Sequence, residues 1–148
     1  MKLVLLFLLL LPLSAVASKD IECLATNIYF ESRGESLAGQ VAVAHVTMNR
    51  VFSSKFPNSI CEVVYQAKYD QMLPLKNQCQ FSWYCDGLKE IIKDKKAYEK
   101  AKNVAFYVLH GGLDITDGAL YYHSHTVSPD WNKEMNHTVT IGNHIFYK

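Results

Sequence analysis

The sequence predicts an α+β domain, mainly helical, with a small antiparallel sheet at its C-terminal end. Three observations carry this prediction. Ile21, Leu24, Ala25 and Ile28 recur at helical spacing and make one apolar face. Ala97, Ala101, Val104, Ala105 and Val108 do the same further on. Near the end, residues 138–141 and 144–147 flank Gly142-Asn143, a pair that suits the left-handed backbone of a two-residue hairpin.

Residues 1–17 read as a secretory leader. Lys2 gives a positive start, residues 3–13 form an apolar run broken at Pro12, and Ala15-Val16-Ala17 is a small-x-small cleavage signal before Ser18. The run is short for a membrane span, so no stable span is expected after processing. Residues 18–148 amount to one domain, with no internal repeat, low-complexity segment or second module. The expected location is secreted or periplasmic, and the expected state a monomer. Loss of Lys2 takes the formal net charge from +1 to about zero, which argues against a nucleic-acid binder.

All four cysteines, Cys23, Cys61, Cys79 and Cys85, lie in the exported part. An even count in an oxidising compartment favours two disulfides. Three pairings are possible. The preferred one joins Cys79 to Cys85 around a short loop and Cys23 to Cys61. No two cysteines have the C-x2-C spacing of a zinc site, and no metal or cofactor is expected.

Asp20 is the expected cap of the first helix and Gly34 its stop. Ser36 opens a second helix, apolar on several faces through Val51 and therefore buried on most sides. His45 within it reads as a hydrogen-bonded core residue, and Arg50 as a cation suiting the last turn of the helix dipole. Ser59-Ile60-Cys61-Glu62 fits a capping box before a short helix. Residues 66–78, with Pro74 and no clear period, read as a loop over the site. Residues 79–85 set Gln80, Ser82 and three aromatics between two cysteines, which reads either as a sugar-binding cleft wall or as a disulfide-pinned core corner. The charge-rich residues 88–100 read as a solvated helical face. The second stripe then ends at Gly111-Gly112, and residues 119–123 read as a strand.

The chemistry concentrates in Asn27-Ile28-Tyr29-Phe30-Glu31-Ser32-Arg33-Gly34-Glu35. An acid among apolar and aromatic neighbours is pushed toward its neutral form by desolvation. A carboxyl that stays protonated can give its proton to a leaving group. The bland alternative is a Glu31 that pairs locally with Arg33. Arg33 has a choice: pairing with Glu35 leaves Glu31 neutral, whereas pairing with Glu31 lowers its pKa.

This stretch is followed in order by residues 39–51, 56–66, Cys79-Gln80-Phe81-Ser82-Trp83, residues 118–122 and residues 141–147. In that order and at those separations the segments resemble the SleB-type cell-wall hydrolases, a spore-cortex-lytic family that cleaves peptidoglycan. The resemblance implies a lysozyme-like fold and lytic transglycosylase chemistry on peptidoglycan glycan strands, between N-acetylmuramic acid and N-acetylglucosamine. It matches Glu31 to the family's single catalytic glutamate, the first of an E-x-R-G-E motif. Ser32 and Ser36 depart from the alanine and proline usual there; Ser32 is a candidate partner of Glu31 or the substrate. Gln80, Ser82, Tyr121 and Tyr122 are the candidate substrate contacts.

Rival readings are kept beside it. A hydrolytic muramidase needs a second carboxylate; Glu35 is close in sequence, but its spacing across Gly34 does not assign it that role, and Asp114, Asp117 and Asp130 are candidates in principle. A metal-dependent amidase would draw on His123-x-His125 with His137, His144 or Asp130, though H-E-x-x-H is absent. A non-catalytic wall-binding module would share the aromatics and disulfides without needing the acid.

Overall fold

The computed structural model describes the backbone of residues 13–148 and the side chains of residues 18–148. The expected leader thus lies outside the described residues apart from the backbone from Leu13. Four helices come first: α1 (Leu13–Ser32), α2 (Leu37–Val51), α3 (Ile60–Val64) and, after an interruption, α4 (Lys95–Leu109). The interruption holds a hairpin of β1 (Ala67–Asp70) and β2 (Leu73–Cys79) and a 3-10 turn over Ser82–Tyr84. The C-terminal part is a three-stranded antiparallel sheet of β3 (Tyr121–Ser124), β4 (His137–Ile141) and β5 (His144–Tyr147), ordered β3-β5-β4.

α1 is the hub, packing against α2, α3 and α4. Leu24, Ala25 and Ile28 are fully buried; each large side chain among them is worth roughly 1.5–3 kcal/mol of burial. α1 starts at Leu13, so Asp20 is an interior residue and not its cap. Backbone hydrogen bonding already running upstream leaves that side chain no free N–H groups to cap. α2 is capped as expected, Ser36 Oγ accepting from Gly39 N at 3.2 Å, and is buried continuously over residues 39–47. His45 lies in the core, with backbone of Leu113 as its hydrogen-bond partner. At α3 the capping box is half formed: Ser59 Oγ donates to Glu62 Oε2 at 2.6 Å and makes no bond to the helix backbone.

Two stretches differ from the sequence reading. Residues 66–78 are a β-hairpin, not a loop; its turn uses Gln71 and its second strand bends at Asn77, both at positive φ without glycine. The charged residues 88–94 are not helical. α4 begins only at Lys95, capped by Asp94, whose side chain accepts from Ala97 N at 2.9 Å. The preceding segment is fastened instead by Tyr29, whose hydroxyl accepts from Lys93 N (3.2 Å) and Asp94 N (3.1 Å). Both disulfides pair as preferred, Cys23–Cys61 joining α1 to α3 and Cys79–Cys85 closing the 3-10 turn. Among the described residues no helix is long and apolar enough to cross a membrane.

Candidate active site

Glu31 projects from the last turn of α1 into a cavity of about 160 Å³ lined also by Arg50, Cys79, Gln80, Phe81, Ser82 and Tyr122. Four parts of the chain meet there: the end of α1, Arg50 of α2, the residues around the 3-10 turn, and β3. On one side the 3-10 turn is pinned to α1: Trp83 Nε1 donates to Asn27 Oδ1 at 2.9 Å, and the indole stacks on Phe30 at 4.8 Å. The turn therefore presents Gln80 and Ser82 next to the acid. Asn27 is fixed in turn by donating to Thr47 Oγ1 at 3.2 Å.

On the other side consecutive α2 residues carry the approach to β3. Asn49 Nδ2 donates to Asp114 Oδ2 (3.0 Å) and Ala119 O (3.1 Å), and Arg50 Nε donates to Leu120 O (2.8 Å). β3 then delivers Tyr122, whose hydroxyl donates to Glu31 Oε2 at 2.6 Å. Burial, followed by the Glu31 charge, holds the Tyr122 hydroxyl well above its ordinary pKa, so it stays a donor.

Glu31 is half-buried by surface area. Burial of its carboxyl group is the largest influence and raises its pKa above the ordinary carboxylate value; the Tyr122 hydrogen bond and the Arg50 charge offset this only in part. Arg33 pairs with neither acid. Its Nη1 donates to Tyr29 O at 3.3 Å and its guanidinium lies over the Tyr29 ring. Ser32 does not reach Glu31 either, since its hydroxyl donates to Ile28 O at 2.9 Å.

Of the residues singled out in the sequence, Glu31, Gln80, Ser82 and Tyr122 come together. Tyr121 does not line the cavity; its ring packs near Phe56, Trp131 and Arg50. Arg50, which the sequence presents as a helix-end cation, also lines the cavity. It is 5% exposed and sits among the rings of Phe56 (5.0 Å), Phe81 (5.1 Å) and Tyr121 (5.8 Å), facing the acid's cavity. Its signal in the sequence was faint: an arginine ending an otherwise buried helix, which requires a buried partner set.

None of the other carboxylates lines this cavity. Glu35 accepts from Asn143, Asp114 from Asn49 and Thr116, Asp117 from Lys148, and Asp130 from Lys133. The histidines of the amidase reading are dispersed: His123 Nε2 meets Tyr147 Oη at 3.0 Å, and His137 Nε2 meets Thr140 Oγ1 at 3.1 Å. Among the described residues no three His, Cys, Asp or Glu side chains converge as a metal-binding group.

Fold and site together define a lysozyme-like α+β domain, a helical body with small antiparallel sheets arranged around one buried acid. A family model described as Cell Wall Hydrolase matches residues 34–147, and the chain belongs to that family. Glu31 stands just before the matched segment. The chain is 34% identical over 133 residues to a spore cortex-lytic enzyme of Bacillus cereus, covering 89% of this chain and 45% of that protein. It is 33% identical over 131 residues to one of Bacillus subtilis, covering 88% and 38%. It therefore spans less than half the length of these relatives. Among solved structures it is similar to the catalytic domain of the germination-specific lytic transglycosylase SleB from Bacillus anthracis. The TM-score is 0.69 at 35% identity, over 87% of this chain and 93% of that one. The catalytic domain of the Bacillus cereus SleB protein gives 0.63 at 32% identity, over 88% and 91%.

Proposed function

We propose that this chain cleaves the glycan strands of peptidoglycan between N-acetylmuramic acid and N-acetylglucosamine, as a lytic transglycosylase with Glu31 as its single acid and base. The observation that carries the reading is a single half-buried carboxyl, its pKa raised by burial, with no second carboxylate among the described residues lining its cavity. A two-carboxylate glycosidase needs both groups across the scissile bond. The similarity to SleB catalytic domains supports the same reaction.

In this mechanism protonated Glu31 gives its proton to the glycosidic oxygen as the bond from the muramyl anomeric carbon breaks. The C6 hydroxyl of the same sugar attacks that carbon, and the Glu31 carboxylate takes the hydroxyl proton. The products are a 1,6-anhydromuramyl end and a free N-acetylglucosamine hydroxyl, with no water consumed. Tyr122 and Arg50 both favour the carboxylate form, so they stabilise Glu31 during the interval between giving and receiving the proton. Gln80 and Ser82, exposed at the rim, are assigned to hydrogen bonds with acetamido and hydroxyl groups of the sugar, and Tyr121 to backing Arg50. We further assign residues 1–17 to an export leader and residues 18–148 to the catalytic domain, working as a monomer in a secreted or periplasmic setting. The two disulfides suit that compartment.

The test is mass spectrometry of muropeptides after incubation of peptidoglycan with the purified protein and with Glu31→Gln. Anhydromuramyl products from the wild type, absent with Glu31→Gln, are expected. Reducing-end products would make the enzyme a hydrolase. Equal cleavage by both proteins, or loss of activity to a chelator, would overturn the assignment of Glu31.

A further inference from the structure

Glu35, four residues beyond the acid, has no place in the reaction just described, yet both of its carboxylate oxygens are held by Asn143. Its Oε2 accepts from Asn143 N at 3.1 Å and its Oε1 from Asn143 Nδ2 at 2.8 Å. Two glycines make room for it. A Cβ at Gly39 would come within 2.8 Å of the Glu35 Cβ, and a Cβ at Gly142 would collide with the Glu35 carboxylate. Gly142 is also at φ +58°, where the β4–β5 turn needs a left-handed residue. The backbone around Glu35 is tied down as well, its N–H donating to Ser32 O at 2.9 Å and its carbonyl accepting from Gln40 Nε2 at 3.1 Å.

The turn that Glu35 grips leads straight to the site. Asn143 O accepts from His125 N at 2.9 Å, just past the end of β3. Ser124 pairs with His144 and Tyr122 with Phe146 across β3 and β5. The His144 ring meets the Tyr122 ring edge-on at 5.0 Å. Tyr122 then closes the circuit on Glu31. From this geometry we propose that Glu35 is a positioning residue, which clamps the β4–β5 turn to the end of α1 and so sets Tyr122 against Glu31. The inference deepens the proposed function and rests on it for its catalytic meaning.

Glu35 is suited to gripping and not to proton donation. Its slight burial alone would raise its pKa, but the two hydrogen bonds from Asn143 and the charges of His144 and His125 bring it below the ordinary value. It is thus an ionised acceptor facing two N–H donors, which makes charge-assisted hydrogen bonds stronger than neutral ones.

The experiment compares the wild type with Glu35→Ala, Tyr122→Phe and the double variant, by two readouts. One is the Glu31 pKa from carbon NMR of its carboxyl group, which needs no substrate. The other is the rate of peptidoglycan cleavage against pH. Among the described residues, the Tyr122 hydrogen bond and the Arg50 charge are what lower the Glu31 pKa, so loosening Tyr122 moves it upward. Glu35→Ala is expected to shift the Glu31 pKa in the same direction as Tyr122→Phe and to slow cleavage about 10–100-fold, the scale of a small misplacement in a site. The double variant should be no worse than Tyr122→Phe. Glu35→Gln, which keeps an oxygen for the Asn143 N–H, should recover part of the loss, and Gly142→Ala should copy Glu35→Ala. If Glu35→Ala does not fold, Asn143→Ala repeats the comparison from the other side. An unmoved Glu31 pKa, or losses that multiply in the double variant, would overturn the clamp. A wild type that leaves peptidoglycan intact would instead overturn the proposed function, with the NMR comparison still deciding the clamp.

Discussion

Replacing Cys23 and Cys61 by alanine removes the link between the helix that carries the acid and the helix that leads to the cleft hairpin. The two cysteines are 38 residues apart. On the loop-closure account, a cross-link of that span restricts the unfolded chain by about 4 kcal/mol at 25 °C, and the six-residue Cys79–Cys85 loop by only about 2 kcal/mol. Domains are stable by roughly 5–15 kcal/mol, so the first loss is a large share of the total. For a domain of this size each kcal/mol moves the melting temperature by roughly 3–5 °C, which gives a fall of about 12–20 °C. Urea denaturation of the double alanine variant, beside a Cys79/Cys85 double alanine variant, gives both costs directly. The long-loop variant should lose about twice as much and keep its rate of cleavage at low temperature, since neither Cys23 nor Cys61 lines the cavity. A long-loop loss no greater than the short-loop one would refute the entropic reasoning.

Glu31→Gln should abolish cleavage and yet stabilise the fold near neutral pH. Glu31 has a folded pKa above its unfolded value, so the folded state holds its proton more tightly, and that contribution is complete in acid and lost as pH rises through the folded pKa. The melting temperatures of variant and wild type should therefore coincide below about pH 4, the ordinary glutamate value, and separate as pH rises; a constant difference would refute the sign. Asp94→Ala removes the α4 cap and should cost about 1 kcal/mol in urea denaturation with the rate of cleavage unchanged.

Much of this could be read in advance, because it depends on local rules. The apolar stripes of α1 and α4, the Ser36 cap and the Gly142-Asn143 hairpin each follow from residues within one turn of each other. So does the placing of Glu31 at a helix end. The misses share the opposite property. The hairpin of β1 and β2 turns at Gln71 and Met72, a pair with none of the usual turn chemistry, and carries Pro74 inside a strand. α4 starts late because Tyr29, far away in sequence, takes the N–H groups of Lys93 and Asp94. Arg50 had a sufficient local explanation, and only the fold brings the rings of Phe56, Phe81 and Tyr121 around it. Arg33 had two acids in reach, and a carbonyl and a ring of its own helix took it instead.

The hydrogen bond from Tyr122 to Glu31 joins residues 91 apart, and the grip of Glu35 on Asn143 joins residues 108 apart. Contacts of such span require a long loop to close, which costs more entropy than a local contact and slows folding. Glu31 stands on α1, whereas Tyr122 reaches it from the C-terminal sheet. Synthesis from the N-terminus therefore yields an incomplete centre until β5 has been added beside β3, and a chain cut short before β5 carries its acid without the sheet that holds it in place. The site around Glu31 is therefore complete only once the C-terminal sheet has closed on the end of α1.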